Sequence, residues 1–283
     1  MKGKDMIVKM DYFELNGDIN TTENREKIIN IDNQLFSNLK YLGGGTFGVV
    51  FEGKCSLFHG EIVAIKFQRI LEDKKKKKEE KIYKLMNKLN NLAFDILCVS
   101  YYGSLRNPDY TIIIEEKADS DLKKIIRKKI HSKEVFKNEE KKQIFENLIT
   151  NLYLLHMNGI AHYDIKPANI LYYEKFNKYI LRDYGECEKY EGPCNLQEHQ
   201  TPHFGGTEDY MSPKLYQKNL TADPENPKMQ HNPFKSDIYS MGLVFLQVHL
   251  APNKLFTSKT KKTRQENIDE KVKKQKKKKK GFF

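Results

Sequence analysis

Between Ile160 and Gly185 the chain sets two aspartates, Asp164 and Asp183, close to Lys166 and Asn169. Asp164, Lys166 and Asn169 stand in Ile160-Ala161-His162-Tyr163-Asp164-Ile165-Lys166-Pro167-Ala168-Asn169, and Asp183 follows in Arg182-Asp183-Tyr184-Gly185. Short apolar runs, Ile170 to Tyr173 and Tyr179 to Leu181, read as strands, which leaves the polar residues on loops between them. Phosphoryl transfer needs this inventory: a carboxylate to take the proton of an attacking hydroxyl, a cation to offset γ-phosphate charge, and hard oxygen ligands for magnesium. A single Asp or Asn in a loop is usually a turn former. The constraint lies in the ordered set.

The upstream sequence adds to that set. Gly43-Gly44-Gly45-Thr46-Phe47-Gly48-Val49-Val50 has strand-like apolar residues on both sides, Leu39 to Leu42 and Val49 to Phe51, and no helical pattern opens after it. This favours a phosphate-covering hairpin over a dinucleotide-binding turn, whose third glycine begins a helix. Glycine lets backbone N–H groups approach phosphate where a side chain would block them. Lys66 ends the apolar run Val63-Ala64-Ile65-Lys66 and needs a carboxylate to hold it in place. Glu79 is the candidate. Ile82, Tyr83, Met86 and Leu89 follow it at helical spacing on one face, and a one-residue slip turns Glu80, the runner-up, away from that face.

In this order the glycine loop, Val-Ala-Ile-Lys, HxDxKPxN and DxG resemble the motif set of eukaryotic protein kinases. The octet Glu79 to Met86 is similar to the corresponding helix of casein kinase 1, whose lysine partner is the first glutamate. The resemblance runs from about Leu35 to Leu250 and implies an α+β, bilobal protein-kinase fold. Residues 35–114 would form a small β-rich N-lobe and 115–121 a hinge. Residues 122–251 would form a mostly helical C-lobe lacking its last helices.

The resemblance further implies an ATP- and Mg2+-dependent serine/threonine protein kinase. Asp164 would orient and deprotonate the acceptor hydroxyl, and Lys166 would offset charge on the γ-phosphate. Asn169 and Asp183 would hold magnesium, while Lys66, braced by Glu79, would grip the other phosphates. The ATP site would be completed by Gly43, Gly45, Gly48, Val50, Ala64 and Leu171. Backbone groups of Glu115 and Lys117 would meet the adenine edge, with Ile114 as gatekeeper and Asp121 near the ribose. Lys166 before Pro167, together with Thr207, resembles serine/threonine rather than tyrosine kinases. Gly206 to Pro213 resembles the segment that seats the acceptor residue, and Asp237 the aspartate that braces the catalytic loop.

Three departures from the family pattern carry expectations of their own. Tyr163 replaces the arginine usual before the catalytic aspartate, so no cation there can pair with a phosphorylated activation segment. Tyr184 stands for phenylalanine, and Lys214 replaces a glutamate that pairs with an arginine late in the C-lobe. Little apolar sequence follows Leu250, so the crowded helix from Phe234 to Leu250 is expected to leave an apolar patch uncovered. A kinase-fold scaffold with little or no catalysis is the competing reading.

Charge is concentrated at one end. Residues 252–283 hold 13 Lys/Arg against 3 Asp/Glu, which is +10 of the chain's +12. This stretch reads as a disordered, basic tail able to contact polyanions non-specifically. Residues 1–34 are polar and read as a loosely ordered extension. Four cysteines without CxxC or metal-ligand spacing, and no run of membrane-span length, predict a reduced cytoplasmic protein, with the nucleus an option through the tail.

Overall fold

The computed structural model describes residues 36–45, 48–69, 79, 81–86, 101–106, 110–191, 199–201, 206–220 and 229–251. The N-terminal extension and the basic tail lie outside these residues. The first unit is an antiparallel sheet of β1 (Phe36–Gly45), β2 (Gly48–Cys55), β3 (Glu61–Arg69), β4 (Tyr101–Arg106) and β5 (Tyr110–Glu116), in the order β1-β2-β3-β5-β4. The glycine-rich stretch closes the β1–β2 hairpin as expected, with Gly43 opposite Val50 and Gly45 opposite Gly48. Gly48 is required there. Its φ is +139°, and a Cβ would lie 1.8 Å from the Phe67 carbonyl oxygen of β3.

Residues alternate between the two faces of β2, β3 and β5. Val49, Phe51, Val63, Ile65, Phe67, Ile112 and Ile114 are buried together on one face. The opposite face carries the polar chemistry: Lys66 lies opposite both Val50 on β2 and Ile113 on β5, and Ala64 lies opposite Glu115. A helix, α1, takes in residues 79 and 81–86, with Ile82, Tyr83 and Met86 buried, as its apolar spacing predicts.

The second unit begins at β6 (Ser120–Asp121) and α2 (Leu122–His131), whose first turn is capped by the Asp121 carboxylate accepting from the Lys124 N–H at 2.8 Å. α3 covers Asn138–Met157, and Gly159 (φ +67°) follows its C-cap in the left-handed conformation. β7 (Ile160–Ala161), β8 (Ile170–Tyr173) and β9 (Lys178–Leu181) frame the catalytic motifs. β10 (Glu188–Lys189) pairs back onto β7, and β11 (His199–Thr201) pairs with β12 (Met229–His231). α4 (Pro213–Leu220) and α5 (Pro233–Leu250) complete it.

Ile144, Leu148 and Leu155 of α3 and Val244 and Val248 of α5 are fully buried in one core, which also takes in Ile82, Tyr83 and Met86 of α1. Each such side chain contributes about 1.5–3 kcal/mol by leaving water. The expected bare face on α5 is small: Leu243 and Leu250 are buried, and Ile238, 58% exposed, is the large apolar side chain that stands out. No helix among the described residues is long and apolar enough to cross a membrane.

Candidate active site

Asp164 lies on the loop between β7 and β8, and α5 fixes the shape of that loop. Asp237, 1% exposed, accepts from the backbone N–H of His162 at 2.7 Å and of Tyr163 at 2.8 Å, and bonds the His156 ring at 3.0 Å. His162 in turn meets the Arg182 carbonyl through Nε2 at 3.0 Å. Tyr163 has φ +65° and Asp183 φ +67°, unusual for residues with side chains. The surrounding hydrogen bonds hold this strain where the chemistry sits.

The Asp164 carboxylate is buried and accepts three donors. Lys166 Nζ reaches Oδ2 at 2.6 Å, Asn169 Nδ2 reaches Oδ2 at 2.9 Å, and Thr207 Oγ1 donates to Oδ1 at 2.7 Å. Lys166 also donates to Thr207 at 2.8 Å, which closes a triangle between the loop and the segment returning at Gly206. Asn169 Nδ2 donates a second time, to the Asp164 carbonyl at 2.8 Å. Both amide hydrogens are then engaged, and its carbonyl oxygen is the group left to offer a cation.

Lys66 meets two carboxylates, Glu79 Oε1 at 3.0 Å and Asp183 Oδ1 at 2.7 Å, so β3, α1 and the segment after β9 converge on one ammonium. Glu79 holds the position predicted for the lysine's partner; Glu80 lies outside the described residues. Burial works against the Lys66 cation, but the charges of Asp183 and Glu79 outweigh it and raise its pKa. Burial likewise favours the neutral acid at Asp183, and the Lys66 charge and hydrogen bond overcome this and hold it at about 2. Asp183 is therefore ionised at neutral pH. One carboxylate and one carboxamide oxygen are hard donors that suit magnesium, which takes the rest of its shell from phosphate and water.

The residues predicted around ATP are partly assembled. Val50, Ala64 and Lys66 share the polar sheet face, next to the open space around Gly43, where an added Cβ would meet nothing within 4 Å. Leu171 of β8 is half-buried and packs against the pair Tyr173 and Ile180, as does Ala118. Lys117 forms an ion pair with Glu52 of β2 at 2.9 Å, and the Asp121 side chain caps α2. Ile114 requires a correction. It points into the closed core with Ile65 and Phe67, whereas Ile113 and Glu115 face the same way as Lys66. The β5 side chains on the face of Lys66 and Ala64 are therefore Ile113 and Glu115, and Ile114 is not one of them.

Several contributors had weaker signals in the sequence. Gln68, two residues beyond Lys66 and so on the same face, donates to Glu79 Oε2 at 2.8 Å. Glu115 is buried and ion-paired with Arg182, the residue before Asp183. A charge at the end of the apolar run Tyr179 to Leu181 had to find such a partner. Tyr101 stacks on Tyr83 at 5.3 Å, and Tyr83 meets Tyr184 edge-on at 5.0 Å, which ties β4 and α1 to the Asp-Tyr-Gly turn. Tyr190 bonds Tyr163, hydroxyl to hydroxyl, at 2.5 Å. Lys214, in the position of the family glutamate, is exposed. The segment end is anchored on α5 by Ser212 to Ser236 at 2.9 Å, Ser240 to the Tyr210 carbonyl at 2.7 Å, and Tyr210 to Gln247 at 3.0 Å.

Comparison with known proteins agrees with this geometry. Residues 36–281 match the family described as protein kinase domain. A probable serine/threonine-protein kinase, fhkB, of Dictyostelium discoideum is 28% identical over 188 residues, covering 65% of this chain and 15% of that protein. The proto-oncogene serine/threonine-protein kinase mos of Rattus norvegicus is 28% identical over 222 residues, 74% of this chain and 60% of its own length. A probable L-type lectin-domain containing receptor kinase S.5 of Arabidopsis thaliana is 27% identical over 211 residues, 73% of this chain and 29% of that protein. The chain thus spans 15% to 60% of the length of these relatives.

Proposed function

The chain belongs to the protein kinase family, and from that premise we propose that it transfers the γ-phosphate of ATP, with Mg2+, to serine or threonine hydroxyls of proteins. The observation that carries this reading is Lys66 held between Glu79 and Asp183, with the Asp164–Lys166–Thr207–Asn169 cluster beside it. Asp164 orients the acceptor hydroxyl and takes its proton at Oδ1, the oxygen that the Thr207 hydroxyl now bonds. Lys166, already within reach of both Asp164 and Thr207, offsets charge on the transferring group. Lys66 places the remaining phosphates. Asn169 and Asp183 would hold Mg2+, which would supply charge neutralisation on the phosphate oxygens. Most of the acceleration comes from position and electrostatics.

Serine/threonine preference is supported by Lys166-Pro167 with Thr207, and by the names of relatives at about 28% identity. Within the same reading, the likeness of the Glu79 octet to casein kinase 1 supports Glu79 as the lysine's working partner. Residues 252–283 add a basic surface for polyanions. The test is transfer of label from radioactive ATP to a basic protein, with Asp183→Asn and Lys66→Met as controls. Phosphoserine or phosphothreonine formed by the unaltered chain and absent with both variants is the expected result. Equal labelling by all three overturns the reading.

A further inference from the structure

Tyr163 takes the place of a cation, and the structure shows what its side chain does instead. It is 5% exposed and sits between His162 and Asp164 in the loop that Asp237 braces. Its ring lies among Ala161, Met211, Leu215 and Phe234. Its hydroxyl meets the Tyr190 hydroxyl at 2.5 Å. Tyr190 stands where the segment after Asp183 leaves the described chain: β10 pairs with β7, and the Tyr190 N–H extends that pairing to the Gly159 carbonyl at 2.7 Å. The Tyr190 ring also rests edge-on against Phe234 at 5.8 Å.

The returning end of the segment meets the same residue. Gly206, with φ +112°, crosses the Tyr163 carbonyl so closely that a Cβ would lie 2.5 Å from its oxygen. Thr207 follows directly and bonds Asp164 and Lys166. Tyr163 therefore touches the outgoing arm through its hydroxyl and the incoming arm through its backbone, and both contacts are uncharged.

We propose that the Tyr163–Tyr190 hydroxyl pair is a positioning clasp that seats the segment bearing Thr207 against Asp164 without any phosphate on that segment. This rests on the kinase reading and adds to it how the site is kept assembled. Burial pushes the Tyr190 phenol up to about 12, with the Tyr163 hydrogen bond acting the other way, so it keeps its proton throughout the physiological range. A phenol pair leaves at least one donor in place at any pH where the protein works, and it needs no modifying enzyme.

The experiment uses the full chain, treated with a broad phosphatase that is then removed, alongside Tyr163→Phe, Tyr190→Phe and the double variant. Phenylalanine keeps the ring and removes the hydroxyl. Phosphatase treatment is expected to leave the unaltered chain's kcat within twofold. Each single variant should lower kcat about three- to tenfold while KM for ATP moves less than twofold, as for one neutral hydrogen bond lost between positioned groups. The double variant should fall no further than either single one, because each substitution already removes the one bond between the two hydroxyls. Thermal melts accompany each assay, and a drop in kcat at a temperature where all four proteins are folded separates positioning from stability. Losses that multiply in the double variant, or unchanged kcat in both singles, overturn the clasp while leaving the kinase reading intact. Loss of activity on phosphatase treatment does the same. An unaltered chain that transfers no phosphate before or after treatment overturns both.

Discussion

Replacing Asp237 tests whether α5 shapes the catalytic loop. The carboxylate accepts from two backbone N–H groups at 2.7 and 2.8 Å and bonds the His156 ring at 3.0 Å, all of it buried. Asp237→Ala leaves three buried polar groups without this partner. Each costs about 1–3 kcal/mol when orphaned. If entering water relieves part of this, the loss is about 3–5 kcal/mol, a large share of the roughly 5–15 kcal/mol of a typical domain. Asp237→Asn keeps one oxygen but turns an NH2 group toward a donor, so it should cost about 2–3 kcal/mol. At this chain length these losses lower the melting temperature by roughly 5–15 °C. The assay is calorimetric or dichroism melting with kcat measured well below the transition, where the reshaped loop should still slow transfer more than tenfold. If Asp237→Asn melts within about 1 kcal/mol of the unaltered chain and retains its kcat, the brace is not what holds Asp164 in place.

Three other outcomes follow from the same geometry. Lys66→Met should lower kcat at least about 10²-fold, the usual cost of one lost transition-state contact, and should also destabilise the fold, since Glu79 and Asp183 lose their shared cation; steady-state kinetics and a urea titration read the two effects separately. Asp183, held at about 2 against an ordinary 3.8, contributes stability that is present above pH 4 and lost as pH falls toward 2, so Asp183→Asn should flatten the acid limb of a stability-against-pH curve by roughly 2 kcal/mol. Glu115→Leu or Arg182→Met alone strands one buried charge and should cost about 3–5 kcal/mol, whereas the double substitution should recover most of it, as a double-mutant cycle by denaturation would show.

Local pattern was enough where one element decided the outcome. The β1–β2 hairpin was legible because strand-like residues flank the glycines and no helix follows. The end of α3 at Met157 is set locally too, because Gly159 just beyond its cap adopts a conformation few other residues adopt. Ile114 shows where pattern fails. Ile112, Ile113 and Ile114 are all buried, so the run has no alternation to indicate which residue faces the cleft. Only the pairing of Ile113 with Lys66 decides it, and pairing is a property of two strands. The Tyr163–Tyr190 bond joins residues 27 apart, and neither tyrosine has a sequence feature that points to the other.

The catalytic loop at Tyr163 and the end of the segment before Lys214 are anchored in the same physical way. In both places neutral hydroxyls take part in the anchoring: Tyr190 for the catalytic loop, and Ser212, Ser240 and Tyr210 for the end of the segment on α5. A buried neutral hydrogen bond gains only about 1 kcal/mol, but it avoids the desolvation cost of an ion pair and is not screened by salt. The charges that would face phosphate are Lys66 with its two carboxylates and Lys166 with Asp164. Buried charge also anchors the frame, through the Asp237 carboxylate on the catalytic loop and through Glu115 with Arg182. A change in the charge of a substrate or nucleotide would then act first on Lys66 and Lys166, and least on the neutral hydroxyl contacts.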